Sequence, residues 1–277
     1  MEMREFGPDR VRLPLLGLGC SRLGSLGNTT TPREMRNTLA LALDLGVTLF
    51  DTADIYGQGD SERELGRLIK ANPGRAFVVT KVGYHFSLKM RLIRPLKPIL
   101  KPLLARSTAS RSAVVARRSG EMGSDFSPDH IRRGVDASLR RLGQTTLDGL
   151  LLHDPSPEIA GAPETADTLA ALKRAGKVRY FGVSCTNLAT LRAAIGIPGL
   201  TLTQVSLAVL NEAAAAGLTE AMRAKQIGVL VREVLTQQSN LTPGAAVAET
   251  AKRQDLTSMI VGTTKSAHLQ ELVRGLG

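Results

Sequence analysis

The 277-residue sequence contains no tryptophan, few other aromatic residues and only two cysteines. Aromatic residues make up 3% of the chain, so a large core would be built from Leu, Val, Ile and Ala. Cys20 and Cys185 are too few for a disulfide framework, which favours a reducing compartment. No apolar run reaches the roughly 18 residues of a membrane span, and the charged first residues lack the apolar stretch of a secretory signal. We therefore expect a cytoplasmic globular protein.

Acidic residues are missing from one segment, residues 84–120, which carries nine bases. The chain has a net charge of +11, but outside this segment it has 27 basic and 25 acidic residues. No aromatic residue lies between the bases as a stacking platform, so we expect no nucleic-acid binding. We interpret residues 84–120 as an insertion with three alternative roles: a solvated loop, a lid that attracts anionic substrate or cofactor groups, or a surface for a membrane or an acidic protein.

Short apolar runs alternate with amphipathic segments along the rest of the chain. Eight runs are predicted as strands, and each is followed by a segment with helical periodicity. The strands are expected over 13–19, 47–51, 76–81, 147–153, 178–184, 200–206, 227–233 and 256–262. The helices are expected over 31–46, 61–70, 127–143, 164–176, 188–196, 211–226, 243–254 and 265–275.

An eightfold strand–helix alternation predicts an α/β fold, a single (β/α)8 TIM barrel over residues 1–277. Strands that are apolar throughout are typical of a parallel sheet covered on both faces. A doubly wound open sheet is the alternative, but no G-x-G-x-x-G motif opens a helix after a strand. Residues 4–13 are predicted to form a β-hairpin that plugs the floor of the barrel.

Polar residues follow the predicted strands, where a TIM barrel places its active site. They are Cys20, Ser21, Asp51, Lys81, His153, Ser184, Cys185, Gln204, Arg232, Glu233, Thr263 and Thr264. Asp51, Lys81 and His153 end successive strands, and Tyr56 follows Asp51 on the same loop. A carboxylate at the end of a buried strand is costly without a partner, so we expect Asp51 to meet Lys81, with Tyr56 over the same mouth.

These four residues have the chemistry for carbonyl reduction. Lys81 beside the Tyr56 hydroxyl would favour the phenolate and lower the pKa of Tyr56, while Asp51 keeps the lysine charged and oriented. Tyr56 would act as a general acid toward an oxygen that gains negative charge, and His153 would hydrogen-bond the same oxygen. The hydride must come from a cofactor, because no side chain supplies one.

Cys20, Cys185 and His153 could alternatively suggest a zinc site or a thiol nucleophile. Neither C-x-x-C nor H-E-x-x-H spacing occurs. We therefore interpret both cysteines as small apolar filling and expect no metal.

Six segments, in order along the chain, resemble the aldo-keto reductase family: residues 17–24, 41–70, 78–83, 136–155, 172–187 and 260–272. They include "FDTADIYG", "VVTKVG" and "LLLHDP". The resemblance implies a (β/α)8 barrel without a Rossmann domain and the catalytic set Asp51, Tyr56, Lys81 and His153. It also implies a nicotinamide cofactor, usually NADPH, with NADH as the alternative.

The resemblance further implies where the cofactor would bind. Ser184 and Gln204 match positions that hydrogen-bond the nicotinamide carboxamide, and residues 262–268 match the segment that holds the adenosine 2′-phosphate. The full set of candidate cofactor residues is Cys20, Ser21, Asp51, Ser184, Cys185, Gln204, Arg232, Glu233, Leu235, Gly262, Thr263, Thr264, Lys265, His268 and Glu271.

This sequence departs from the family pattern at three of those places. Cys185 stands where many members have Asn, and Arg232 stands where an aromatic residue usually stacks on the nicotinamide. A planar guanidinium can stack on a ring as well. Gly262 stands where some members place a phosphate-binding lysine, which makes Lys265 and His268 the candidates. The loop after Leu235 is also shorter than the loop that covers the pyrophosphate in many members.

We therefore predict an NAD(P)H-dependent reductase of a small aldehyde or ketone, with an anionic substrate if the basic segment closes over the site. One alternative is imine or alkene reduction, or redox-neutral cyclisation, of a larger substrate. The other is a regulatory protein that binds the cofactor as a sensor.

Overall fold

The computed structural model describes residues 1–25, 30–86 and 122–277. The chain begins with an antiparallel hairpin, and the later strands alternate with helices. The strands are β1 (Met3–Phe6), β2 (Val11–Pro14), β3 (Leu16–Gly19), β4 (Leu49–Asp51), β5 (Phe77–Val82), β6 (Tyr84–Phe86), β7 (Met122–Ser124), β8 (Leu147–His153), β9 (Val178–Cys185), β10 (Leu202–Ser206), β11 (Gly228–Arg232) and β12 (Ser258–Gly262).

The helices of the described residues begin mostly at Ser, Thr or Asn caps or at a proline. They are α1 (Pro32–Asp44), α2 (Asp60–Ala71), α3 (Pro128–Leu142), α4 (Pro157–Gly161), α5 (Pro163–Arg174), α6 (Leu188–Ala194), α7 (Leu207–Ala215), α8 (Leu218–Ala224), α9 (Val234–Gln237), α10 (Pro243–Ala251) and α11 (Ser266–Arg274). A 3-10 turn, Tyr56–Gln58, precedes α2. Thr31 and Glu34 form a reciprocal capping box at the start of α1, which satisfies backbone donors that the first turn leaves unpaired.

Eight parallel strands close into a barrel in the order β3, β4, β5, β8, β9, β10, β11 and β12, and β12 pairs back onto β3. The prediction of a (β/α)8 TIM barrel is thereby confirmed, and the doubly wound alternative is wrong. All eight barrel strands fall where the apolar runs predicted them. Their carboxyl ends meet at one mouth, so residues at those ends can form a site.

The N-terminal hairpin, β1 and β2, packs against side chains from the barrel. Phe6 and Leu13 form a buried cluster with residues from seven barrel strands: Leu49, Val79, Leu151, Tyr180, Leu202, Leu230 and Ile260. The Phe6 and Tyr180 ring centroids lie 5.1 Å apart in an edge-to-face arrangement, which is a favourable geometry for aromatic pairs. The predicted hairpin is thus present and closes the end of the barrel opposite the strand carboxyl ends.

The predicted helix over 211–226 is wrong in its extent. The structure divides this region into α7, which begins at Leu207, and α8, because Gly217 takes a left-handed conformation with φ of 68°. Glycine adopts this conformation at little cost, so the chain turns there. In the part of the chain that the structure describes, none of the helices has both the length and the apolar character needed to cross a membrane.

The basic segment predicted over 84–120 lies outside the described residues, apart from β6. The described residues next to it pair as a short antiparallel ribbon, in which Tyr84 lies opposite Ser124 and Phe86 opposite Met122. Tyr84 therefore stands directly after β5, beside the barrel mouth.

Candidate active site

Asp51 and Lys81 form a buried ion pair at the mouth of the barrel. Asp51 ends β4, and Lys81 lies near the end of the neighbouring strand β5. The Lys81 Nζ donates to Asp51 Oδ1 at 2.6 Å and to the Thr52 carbonyl oxygen at 3.0 Å. Burial alone would lower the pKa of Lys81, but the nearby Asp51 and Tyr56 outweigh it, so its pKa is raised. The lysine therefore remains a cation although its side chain is 1% exposed.

Tyr56 lies over this pair, on the turn that follows β4. The Lys81 Nζ is 5.4 Å from the centroid of the Tyr56 ring. Burial raises the pKa of Tyr56, while the charge of Lys81 lowers it by less. The prediction of a lowered pKa is wrong for this reason: the lysine acts in the expected direction, but loss of solvent around the phenol has the larger effect. Tyr56 is therefore a neutral phenol that carries a proton.

His153 ends β8 and packs between two tyrosines. Its ring centroid lies 5.9 Å from that of Tyr56 and 5.0 Å from that of Tyr84, both in edge-to-face arrangements. Burial, followed by the charges of Lys81 and Arg232, lowers the pKa of His153 to about 3. Its buried Nδ1 has no hydrogen-bond partner among residues 1–25, 30–86 and 122–277. The imidazole is therefore neutral and keeps hydrogen-bonding capacity for a further group.

A chain of hydrogen bonds extends from the ion pair across the mouth. The Gln204 side-chain amide donates to Asp51 Oδ1 at 2.8 Å, and Ser184 Oγ lies 3.5 Å from Gln204 Oε1. Ser184 Oγ also donates to Asp154 Oδ1 at 2.7 Å. The structure thus places Ser184 and Gln204 beside the ion pair, and both already have carboxylate partners there.

The two cysteines at the mouth are buried, whereas Ser21 is exposed. Cys20 and Cys185 are buried, unpaired thiols. Burial raises the pKa of Cys20, and burial likewise raises the pKa of Cys185 to about 12. A thiol that stays protonated is a poor nucleophile and metal ligand. Across the described ranges, no group of three or more His, Cys, Asp or Glu side chains is arranged to hold a metal ion. Ser21 lies on the surface after β3.

Arg232 ends β11 on the far side of the mouth, and Glu233 follows it as the N-cap of α9. The Arg232 guanidinium forms a close ion pair with the Glu233 carboxylate, and the Arg232 side chain is 24% exposed. Glu233 has a positive φ of 65°, as does Asp154 with φ of 53°. Left-handed conformations of residues other than glycine cost free energy and cluster at functional sites. Leu235 follows on α9 and packs against the core.

The predicted phosphate-binding residues surround the start of α11. Thr263 Oγ1 accepts a hydrogen bond from the Lys265 backbone N–H at 3.2 Å, and Thr264 Oγ1 lies 2.9 Å from Thr30 Oγ1. Lys265 is the N-cap of α11, and within the described residues it makes no side-chain capping hydrogen bond. The remaining candidates are exposed at or near this end of the helix: Gly262, Lys265, His268 and Glu271.

Three polar residues near the site have no role predicted from the sequence: Asp54, Tyr84 and Asp154. Asp54 lies within the loop between Asp51 and Tyr56, and its Oδ1 atom is buried. Tyr84 contacts His153, and Asp154 contacts Ser184. Only the position of Asp154, next to His153 in sequence, could have suggested it.

A comparison with known families identifies the family to which the chain belongs. The model of the aldo/keto reductase family matches residues 15–245, which include every residue of the Asp51, Tyr56, Lys81 and His153 group. The chain belongs to the aldo/keto reductase family.

Curated aldo-keto reductases resemble this member over part of their length. The chain is 28% identical over 207 residues to the Schizosaccharomyces pombe protein named aldo-keto reductase yakc [NADP(+)], which is 73% of this chain and 51% of that protein. It is 33% identical over 179 residues to the 6-dehydroglucose reductase of Agrobacterium fabrum, 64% of this chain and 51% of that enzyme. The chain therefore spans about half the length of these two curated relatives.

A solved structure resembles this chain over almost its whole length. It is a Pseudomonas aeruginosa protein assigned to the aldo-keto reductases, with 28% identity and a TM-score of 0.74. The match covers 99% of this chain and 93% of that one. The barrel and its mouth therefore have a counterpart in a protein of nearly equal length.

The residues at the barrel mouth fit a nicotinamide cofactor. Gly19 and Gly262 are register partners at the ends of β3 and β12, so neither adds a side chain to this part of the mouth. Ser184 and Gln204 offer donors and acceptors for a carboxamide, although each must first exchange a carboxylate partner. The start of α11 offers backbone N–H groups, which suit a phosphate.

Proposed function

We propose that the protein is a nicotinamide-dependent reductase that converts an aldehyde or ketone into the alcohol. The main support for this proposal is the group at the barrel mouth. Lys81 pairs with Asp51 at 2.6 Å, and Tyr56 lies between Lys81 and His153. A neutral phenol, a neutral imidazole and a buried lysine cation around one space suit a carbonyl oxygen that gains negative charge.

In this proposal, Tyr56 donates its proton to the carbonyl oxygen as the carbon is reduced. The charge of Lys81 stabilises the phenolate that remains, and Asp51 holds the Lys81 ammonium in place. The neutral imidazole of His153 donates a hydrogen bond to the same oxygen and so fixes the orientation of the carbonyl. The cofactor, when bound, supplies the hydride.

NADPH is the cofactor that we propose, with NADH as the weaker ligand. The S. pombe relative carries NADP(+) in its name, and Lys265 and His268 are exposed beside the start of α11. The Lys265 ammonium, the His268 imidazole and the backbone N–H groups there would hold a 2′-phosphate, which NADH lacks. Ser184 and Gln204 would hold the carboxamide.

The test is titration of NADPH and NADH into the purified protein, followed by nicotinamide fluorescence and then by a panel of carbonyl substrates. Tighter binding of NADPH than of NADH, with turnover of at least one aldehyde or ketone, is expected. Tight NADPH binding without turnover would instead support a cofactor-binding regulatory protein. Failure to bind either dinucleotide would contradict the proposal.

A hydroxylated carbonyl substrate, such as a sugar, is the second candidate for the substrate class. One curated relative is named a 6-dehydroglucose reductase, and the Asp154 carboxylate stands beside Tyr84 and His153. Carboxylates accept hydrogen bonds from hydroxyl groups, whereas they repel anions. Comparing sugar carbonyls with keto acids in the same panel distinguishes this class from the anionic substrates that the basic segment would favour.

A further inference from the structure

Asp154 lies at the carboxyl end of β8, directly after His153, and makes two hydrogen bonds with Ser184 on the neighbouring strand β9. Its backbone N–H donates to the Ser184 carbonyl oxygen at 3.1 Å. Its side-chain Oδ1 accepts from Ser184 Oγ at 2.7 Å. The backbone of Asp154 is left-handed, with φ of 53°, which is uncommon for residues other than glycine. The chain thus holds this carboxylate against Ser184 in a conformation typical of functional positions.

The contact with Asp154 determines how the Ser184 hydroxyl can bond to any further group. A serine hydroxyl has one hydrogen to donate and two lone pairs that accept. A carboxylate oxygen that faces a hydroxyl only accepts, so the Ser184 hydrogen points to Asp154 Oδ1. Ser184 is 1% exposed, so bulk water does not compete for this hydrogen. Toward a further group, Ser184 Oγ is therefore an acceptor.

Gln204, the register partner of Ser184 on β10, is oriented by a carboxylate in the same way. Its side-chain Nε2 donates to Asp51 Oδ1 at 2.8 Å, which fixes which end of the amide faces Asp51. The other end, Oε1, lies 3.5 Å from Ser184 Oγ. The single Ser184 hydrogen is engaged in the shorter bond to Asp154. Two neighbouring oxygens, Ser184 Oγ and Gln204 Oε1, are thus acceptors without a strong donor.

These two oxygens suit a group that carries two hydrogens on one nitrogen. A primary amide NH₂ has this arrangement, because both of its hydrogens are donors. A ligand without such hydrogens would leave two buried acceptors unpaired, which is costly. Ser184 and Gln204 need to exchange their carboxylate partners only if they act as donors. As acceptors they can bind an amide NH₂ while both carboxylate contacts remain.

We propose that Asp154 is a positioning and specificity residue. By taking the hydrogen of Ser184, it makes Ser184 and Gln204 a pair of acceptors that selects the NH₂ group of the nicotinamide carboxamide. The inference rests on the proposed binding of a nicotinamide cofactor. It adds to that proposal the recognised atom, the amide nitrogen, and a residue that acts on the cofactor through Ser184.

Dinucleotides with an altered amide test this role. In the 3-acetylpyridine analogue of NADP⁺, a methyl group replaces the NH₂ group while the carbonyl oxygen remains. We would measure the dissociation constants of NADP⁺ and this analogue by isothermal titration calorimetry, and repeat the comparison with NAD⁺ and its analogue. Within each pair, the ratio of the two constants reports the amide alone, because both members carry the same adenosine.

In the wild type, the acetyl analogue is expected to bind at least about tenfold more weakly, because two buried acceptors lose their donors. D154G takes the left-handed conformation without strain and frees the Ser184 hydrogen, which can then turn to Gln204 Oε1 or to a carbonyl oxygen. The ratio in D154G should therefore fall to about twofold or less. D154N keeps a side-chain oxygen that accepts from Ser184, so its ratio should lie between those of the wild type and D154G.

Q226G is the matched control, because Gln226 also has a left-handed backbone, with φ of 55°. It lies at the other end of the barrel, where its carbonyl oxygen accepts from the Gly7 N–H of the hairpin at 2.7 Å. Q226G should keep the wild-type ratio.

Equal binding of the amide and acetyl forms by the wild type would overturn the role of Asp154 and leave the proposed reductase standing. An unchanged ratio in D154G would do the same, since a purely structural role of Asp154 weakens both dinucleotides equally. Failure of every dinucleotide to bind would contradict the proposed function and this role together.

Discussion

At the scale of single residues, burial decides the protonation states at the barrel mouth. It raises the pKa of Tyr56 and lowers the pKa of His153 to about 3. Burial would lower the pKa of Lys81, but Asp51 and Tyr56 together outweigh it, so the pKa is raised. The mouth thus combines a proton-bearing phenol, a neutral imidazole and an ammonium. This is the set that a general-acid role for Tyr56 requires.

His153 should make the stability of the protein depend on pH in the acidic range. The unfolded chain binds a proton at His153 once the pH falls below the ordinary histidine pKa of about 6.5, whereas the folded protein does not until about 3. Stability is therefore lost as pH falls from about 6.5 toward 3. The loss is about 1.4 kcal/mol for each unit by which the folded and unfolded pKa values of His153 differ. H153N should remove this slope.

Thermal denaturation of H153N and the wild type across this range measures the effect. H268N, which changes an exposed histidine on α11, is the matched control and should follow the wild type. An H153N variant with an unchanged pH dependence would show that His153 is not held neutral by burial.

Removal of Lys81 should destabilise the fold because it leaves Asp51 buried with Gln204 as its remaining side-chain donor. Loss of one partner of a buried ion pair typically costs about 3–5 kcal/mol, and replacement of both partners costs much less. We expect K81M to be strongly destabilised in urea unfolding and the double variant D51N/K81M to recover most of the loss. Equal stability of the two variants would contradict this account of the pair.

The sequence predicts the four residues of the mouth because they lie at strand ends within known motif segments. It does not predict the direction of the Tyr56 pKa shift, since burial of a loop residue depends on what packs over it. Asp54 and Tyr84 are missed for a related reason. Their neighbours, Glu62 and His153, come from other elements, and no local pattern joins them.

At the scale of elements, β9 and β10 approach closely enough that one position admits only glycine. A Cβ atom on Gly182 would lie 1.7 Å from the Leu202 carbonyl oxygen, which is a backbone atom and cannot turn away. We expect G182A to lower the free energy of unfolding by more than about 3 kcal/mol or to prevent folding, because the added methyl group overpacks the interior.

A second glycine provides the control for this prediction. A Cβ atom on Gly161, at the end of α4, would meet Ala193 Cβ at an ordinary 3.7 Å. G161A should therefore change the free energy of unfolding by less than about 1 kcal/mol. Equal stability of G182A and G161A would contradict the close approach of β9 and β10.

Strands were easier to predict from the sequence than helix breaks. Each barrel strand is a continuous apolar run, because both of its faces are covered. Helix 211–226 was predicted as one element because the alanines over 213–216 are strong helix formers. The turn at Gly217 follows from the left-handed conformation of that residue. A single glycine within an apolar segment does not by itself predict such a break.

At the scale of the whole molecule, the two ends of the barrel differ in composition. The mouth holds the polar group, while the hairpin seals the other end with Phe6 against Tyr180. F6A should cost about 3–5 kcal/mol, the usual range for a large buried aromatic residue, without changing cofactor affinity.

Unfolding of R12A is the control for F6A, because Arg12 is an exposed residue of the same hairpin. The free energy of unfolding of R12A should be within about 0.5 kcal/mol of the wild-type value. A weakened affinity for NADPH in folded F6A would show that the floor and the mouth are coupled, against this account.

The most direct test of the central claim compares NADPH-dependent carbonyl reduction by the wild type and Y56F. The account predicts that Y56F loses about 10²- to 10⁴-fold in kcat, the usual contribution of a general acid, while its affinity for NADPH stays within about twofold. Y180F, which changes a tyrosine in the barrel-floor cluster, should keep wild-type turnover. Turnover by Y56F at the wild-type rate would contradict the assignment of Tyr56 as proton donor.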